Sequence, residues 1–302
     1  MRIEHRPATG IEDLRAAGDF LSQAWIRHAP DVPGTAGDLE WWFAQAWPDA
    51  LGDHLELWSA DGELVGWSWT DPAAEKEPGS VDWHVPVGLG LEDAILDWLD
   101  ERGGFREATR WVTETDTNAK SLLESRGFGS TETVLSQYVQ RLGTRSLPQP
   151  SLPQGYRLRS MRGEEDLERR VEVHRRAFEP SQMSIDKYRR LQSMPHYRLE
   201  HDLVVEGAGG EFAAFTMAWW DPVGRVGELE PVGTHPDHRR KGLGQAVNLA
   251  ALNLFAELGA DWALVFSGTA NAASEALYRS VGFERSGLHR RYERRAARPG
   301  VE

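Results

Sequence analysis

The chain has 302 residues, a formal net charge of −13 and no cysteine, with 40% hydrophobic and 27% charged residues. The length exceeds what one compact core usually holds, so two domains are expected, and the composition is that of a globular rather than a disordered chain. Without cysteine there is no disulfide, no thiolate nucleophile and no Cys-ligated zinc; no apolar run reaches bilayer length and the N-terminus has no signal-peptide core, so a cytoplasmic location is expected.

In chain order, the first half opens an amphipathic helix at Gly10-Ile-Glu-Asp-Leu-Arg15 and turns into a strand at Gly62-Glu-Leu-Val-Gly-Trp67. Asp71-Pro72, Gly88-Leu-Gly90 and Arg126-Gly-Phe128 follow. A proline-containing stretch, Gly143 to Gly155, with Arg145 its only charged residue, reads as a linker. Beyond it the same signals return in the same order: Gly163-Glu-Glu-Asp-Leu-Glu168, Gly210-Glu-Phe-Ala-Ala-Phe215, Asp221-Pro222, Gly242-Leu-Gly244 and Val281-Gly-Phe283. The offsets lie between 148 and 155 residues. Five ordered matches at nearly one spacing indicate a tandem duplication of a domain of ordinary size. The expected organisation is a degenerate domain over 1–142, a linker over 143–155 and a working domain over 156–302.

Within the second copy the pattern predicts a strand at Tyr156–Ser160 and a helix at Glu164–Phe178, with a short helix near Ser184–Met194. Strands are predicted at Asp202–Glu206, Glu211–Trp220 and Gly227–Pro236. A helix at Gln245–Leu258, a buried strand at Trp262–Gly268, a helix at Ala272–Val281 and a closing strand at Gly287–Arg295 complete it. The fold class is α/β, each copy a mixed and mostly antiparallel sheet flanked by helices.

Thr234 to Ala246, "THPDHRRKGLGQA", places three cations and two glycines where a strand hands over to a helix. Helix N-termini leave backbone N–H groups unpaired and favour anions, and glycines permit close approach of a pyrophosphate. The stretch has neither Walker nor dinucleotide-fold spacing. It resembles the Arg/Gln-x-x-Gly-x-Gly/Ala loop of the GNAT (GCN5-related) N-acetyltransferases, matched by Arg239, Gly242 and Gly244, with His235-Pro236 ahead of it. Downstream, "NAASEALYRSVGFE" is similar to that family's Asn-x-x-Ala-x-x-Leu-Tyr-x-x-x-Gly-Phe signature, with Ser274 where alanine is usual. The tandem layout resembles that of the mycothiol synthases, which acetylate a cysteinyl amine.

The resemblance implies acetyl-CoA as cosubstrate and the GNAT fold over Tyr156–Arg295. It implies cofactor contacts from Val232, Gly233 and Thr234, from Arg239, Arg240, Lys241, Gly242, Leu243, Gly244 and Gln245, and from Asn271 and Ser274. Backbone N–H groups at Val232 to Thr234 would polarise the thioester carbonyl. Tyr278 stands where the family has its general acid, and a phenol stays protonated at neutral pH. Alternating strand spacing places Glu230 on one face with Val232, which makes Glu230 the candidate base, with Glu228 as the alternative. Glu230 also reads as a strand-edge carboxylate, and Asn271 also reads as a helix N-cap.

His235 and His238 do not have zinc spacing, so no metal is expected. The first copy lacks the cations, and aligning Gly127-Phe128 with Gly282-Phe283 sets Asp116 against Asn271 and Leu123 against Tyr278. Residues 1–142 carry a net −15 and residues 143–302 a net +2, which argues against an anionic cofactor in the first copy. The reading is an acetyl-CoA-dependent N-acetyltransferase acting on a small primary amine. A cysteinyl amine, or a non-catalytic acyl-CoA or partner-binding role, is the alternative. Neither nucleic acid nor membrane is expected as a partner, and the protein is expected to be a monomer or homodimer.

Overall fold

A computed structural model describes residues 1–72, 78–86, 89–102, 105–143 and 147–295. Gly88 of the first-copy glycine pair and residues 144–146 of the expected linker fall outside those residues. In chain order the first half forms β1 (Ile3–Pro7), α1 (Ile11–His28), α2 (Ala36–Gln45), β2 (Leu55–Ala60), β3 (Glu63–Asp71), β4 (Gly79–His84), α3 (Leu91–Arg102), β5 (Ala108–Thr113), α4 (Thr117–Ser125) and β6 (Gly129–Arg141). The second half forms β7 (Arg157–Ser160), α5 (Glu164–Ala177), α6 (Ile185–Gln192), β8 (Asp202–Glu206) and β9 (Phe212–Asp221). It continues with β10 (Val226–Thr234), α7 (Leu243–Leu258), β11 (Trp262–Gly268), α8 (Ala272–Ser280) and β12 (Glu284–Arg294).

The chain condenses into two compact units. One holds Met1–Phe20, Ala50–Ser136 and the chain from Gly287; the other holds Leu21–Asp49 and Gln137–Ser286. The first unit holds the strand order β1-β2-β3-β4-β5 and most of β12, the second holds β11-β10-β9-β8-β7, and β6 is divided between them at Ser136. Pairing repeats between them. β1 to β4 are antiparallel neighbours and β4 runs parallel to β5, while β7 to β10 are antiparallel neighbours and β10 runs parallel to β11. Both units are therefore mixed, mostly antiparallel α/β sheets flanked by helices, and the same order of hands supports duplication.

The repeat extends to single hydrogen bonds. Asp116 caps α4 by accepting the Ala119 N–H at 2.9 Å, as Asn271 caps α8 by accepting the Ser274 N–H at 3.1 Å. The Phe128 N–H donates to Leu123 O at 3.0 Å, and the Phe283 N–H to Tyr278 O at 3.1 Å. Leu123 and Tyr278 thus occupy matching, buried positions in their helices.

Composition explains the elements of the second unit. β9 is buried along nearly its whole length, as an apolar run in mid-sheet should be. α5 opens on Glu164, Glu165 and Asp166 and closes on His174, Arg175 and Arg176, complementing the helix dipole at both ends. α7 stops where Gly259 takes a left-handed conformation, at φ 85°. The core of this unit joins Val247, Leu252 and Phe255 of α7 to Ala218, Leu229 and Val265 of the sheet. The first unit's core gathers Leu91, Ile95, Leu96 and Leu99 of α3 around Trp58 and Phe105. Trp25, Trp58, Trp67 and Trp69 are all buried and serve packing.

Candidate active site

The site is built around β10. Its first residues pair with β11, Val226 with Trp262 through Glu228 with Leu264, and β10 from Leu229 onward has no further paired partner on β11. On its other side β10 pairs with β9 throughout, with a register shift between Leu229 and Val232. One extra β10 residue is accommodated there, a β-bulge.

The bulge corrects the expected side-chain alternation. A Cβ on Gly227 would lie 2.4 Å from the Phe255 ring of α7, so the 227 and 229 positions face α7. Beyond the bulge, Thr234 Oγ1 lies 3.4 Å from a Cβ built on Gly244 at the start of α7, while Gly233 abuts Phe215 and Ala177 on the α5 side. Val232 therefore packs with the α7 core, and Glu230 shares the opposite face with Glu228. Strict alternation had placed Glu230 and Val232 together; the inserted residue separates them.

On the α7 side, β10 runs into a short turn in which the His235 ring accepts the Asp237 N–H at 3.2 Å. Arg240 and Gly242 both take left-handed backbone conformations, at φ 61° and 78°. Gly242 is the N-cap of α7 and supplies no side-chain cap, so the first-turn N–H groups of Leu243, Gly244 and Gln245 point out of the helix without an intrahelical partner. Arg239, Arg240 and Lys241 are exposed beside them. Lys241 Nζ donates to the Tyr156 hydroxyl at 3.0 Å, and that hydroxyl also pairs with His238 Nδ1 at 2.9 Å. This donor set, backbone N–H groups plus exposed cations at a helix N-terminus, suits a pyrophosphate.

α8 closes the other side. Gln245 Nε2 donates to Ser280 Oγ at 3.3 Å, and a Cβ on Gly244 would touch Leu277 at 3.3 Å. The loop and the tyrosine helix expected from the sequence thus meet. Asn271 is exposed and caps α8. Tyr278 is 5% exposed, with its ring 5.7 Å from that of Tyr138 of β6. Burial, then the negative charge of Glu230 and the neighbouring Tyr138, push its phenol further above its ordinary value. It is a proton donor at any physiological pH.

The face opposite α7 carries the carboxyls. Burial, reinforced by Asp38, pushes Glu230 up to about 8. Trp219 of β9 donates its indole N–H to the Glu230 carbonyl at 2.7 Å. Glu228 is 1% exposed and receives the Thr35 hydroxyl at 2.5 Å. Burial and the nearby Asp38 charge hold it well above the carboxylate range. Thr35, Asp38 and Trp219 were not anticipated. Thr35 and Asp38 show a capping-box pattern in sequence, which announces a helix start but not that the helix docks 193 residues away on β10.

Among the described residues, no cluster of three His, Cys, Asp or Glu could hold a metal ion, and no helix is long and apolar enough to cross a membrane.

Comparison with known proteins agrees with this geometry. Residues 167–283 match the acetyltransferase (GNAT) family model. The chain is 30% identical over 246 residues to a mycothiol acetyltransferase of Thermobispora bispora, covering 76% of this chain and 80% of that protein. It is 33% identical over 257 residues to one from Saccharomonospora viridis, covering 76% and 80%. Among solved structures, a tandem GNAT protein from the clavulanic acid biosynthesis pathway superposes with a TM-score of 0.71 at 15% identity, covering 99% of this chain and 100% of that one. The chain belongs to the GNAT acetyltransferase family and is an acyltransferase.

Proposed function

We propose that the protein transfers the acetyl group of acetyl-CoA to the primary amine of a small molecule. The pyrophosphate would lie on the α7 N-terminus between Arg239, Arg240 and Lys241, with Val232 to Thr234, Asn271 and Ser274 lining the rest of the cofactor's course. Glu230 takes a proton from the substrate ammonium, the amine nitrogen attacks the thioester carbonyl carbon, and Tyr278 gives its proton to the departing sulfur. The observation that supports this most is that the helix carrying Tyr278 meets the cofactor loop, in the same unit as Glu230 and beside the point where β10 parts from β11, with burial and then the Glu230 charge raising the phenol. A base that titrates near 8 and an acid that titrates far above it are matched to their two tasks.

The negative charge of Asp38 and Glu228 behind Glu230 suits an acceptor that arrives as a cation. The names of the relatives favour a second, narrower reading, a cysteinyl amine as acceptor. The test is acetyl transfer from labelled acetyl-CoA to a panel of amines that includes cysteinyl amines. Transfer to at least one amine supports the reading, and preference for a cysteinyl amine supports the narrower form. Binding of acetyl-CoA with no transfer to any amine would favour a non-catalytic acyl-CoA binder.

A further inference from the structure

The start of α2 sits in the same compact unit as β10 although it comes from the first half of the chain. Thr35 is extended at φ −130° and ψ 173° and caps α2, its hydroxyl accepting the Gly37 N–H at 3.1 Å. That hydroxyl donates its own proton to Glu228 Oε2 at 2.5 Å, and the Thr35 N–H donates to Asp38 Oδ2 at 2.7 Å. One residue thus holds both carboxyls, Asp38 on its backbone N–H and Glu228 on its hydroxyl, and burial and then the Asp38 charge raise Glu228. Two carboxyl groups brought together in a buried site are favoured with one proton between them, because like charges repel there. The charges that reach Glu228 are those of Asp38 and Glu230, both acidic. Those that reach Glu230 and its neighbour Tyr278 come from Asp38 on α2, Glu230 on β10 and Tyr138 on β6.

A second contact runs through the same turn. A Cβ on Gly37 would lie 2.6 Å from the Trp219 ring, so only glycine lets α2 rest on that indole. The indole N–H is the group that holds the Glu230 carbonyl at the bulge.

We propose that the first turn of α2, Thr35 to Asp38, is a positioning element for the two strand carboxyls: Thr35 and Asp38 keep Glu228 in a carboxyl pair that shares one proton, and Gly37 seats Trp219 against Glu230. This rests on the assignment of Glu230 as base and adds how the base is placed and tuned. With the shared proton on Glu228, a single negative charge at Asp38 faces Glu230 and raises its proton affinity. None of these α2 residues need touch the substrate. A segment from the first half of the chain thereby sets the basicity of the second.

The test is the pH dependence of kcat/KM together with infrared spectroscopy of the carboxyl stretch. Wild type is expected to rise through about pH 8. Asp38→Asn is expected to move that rise to lower pH by on the order of half a unit, with KM for acetyl-CoA unchanged. Trp219→Phe, which keeps a ring but removes the N–H, is expected to lower kcat roughly tenfold without moving KM for acetyl-CoA. In a Glu230→Gln background at neutral pH, a protonated-carboxyl band should remain and should vanish when Glu228→Gln is added. An absent rise in wild type overturns the base assignment and this proposal together. A rise that Asp38→Asn leaves in place, or a Glu230→Gln protein with no protonated-carboxyl band, overturns the positioning role alone. The infrared arm holds even if Asp38→Asn does not fold.

Discussion

At the residue scale, the proposed acid and base are a pair of groups separated by environment. Tyr278 and Glu230 are both pushed upward, mainly by burial, but from starting points far enough apart that one is a donor and the other an acceptor near pH 8. Tyr278→Phe keeps the ring in its place against Tyr138 and Phe283 and removes only the proton. It is expected to leave acetyl-CoA affinity unchanged and to lower kcat by ~10²-fold, as read by calorimetry and steady-state kinetics. Glu230 gives a prediction of opposite sign for stability and activity. Its folded-state value lies above its unfolded one, so its favourable contribution is complete in acid and is lost as pH rises from the ordinary glutamate range to about 8. Glu230→Gln should therefore melt increasingly above wild type as pH rises over that window, while its activity no longer rises there. Thermal melts at several pH values, beside a pH–rate profile, check both.

These residues differ in how far local sequence announces them. The loop with Arg239 and Gly242 and the helix from Asn271 to Tyr278 are legible as elements because each is a local stretch in which a loop or a helix start has strong residue preferences. Glu230 was placed on the correct strand but paired with the wrong neighbour. The bulge beside it is one residue of register, which no period-two pattern can announce. Thr35, Asp38 and Trp219 were out of reach for another reason: each acts through a partner distant in sequence, and a cap or a strand tryptophan has the same local signature whether or not it borders a site.

At the element scale, α5 and α6 cover the carboxyl face of the second unit through a buried polar network. Arg170 is fully buried, donates from Nε to Asp202 at 2.9 Å, and stacks over Phe215 at 3.9 Å. Tyr188 and Tyr197 both donate their hydroxyls to Asp202, tying α6 and the chain after it to β8. Burial and then the Arg170 charge press His174 down to about 3, so that ring stays neutral among Phe178, Phe215 and Trp41. Asp202→Ala leaves the Arg170 charge uncompensated in the core and is expected to cost about 3–5 kcal/mol, measured by denaturant unfolding. The helix boundaries themselves were well anticipated. α5, α6 and α7 begin and end within a few residues of the predicted spans, because acidic starts, Ser184 and Gly259 are local stop and start signals.

At the scale of the whole molecule, two copies of one fold have diverged in chemistry while keeping their hydrogen-bond skeleton. The Asp116 and Asn271 caps and the Leu123 and Tyr278 positions coincide bond for bond, yet only one copy has a phenol to give. The loop cations are confined to that same copy. The central claim is that a single working site, at the start of α7, binds acetyl-CoA. Isothermal titration of the full chain with acetyl-CoA tests it most directly. One site per chain is expected, abolished when Arg239 and Arg240 are both replaced by glutamate; two equivalent sites, or binding that survives the double replacement, would contradict it.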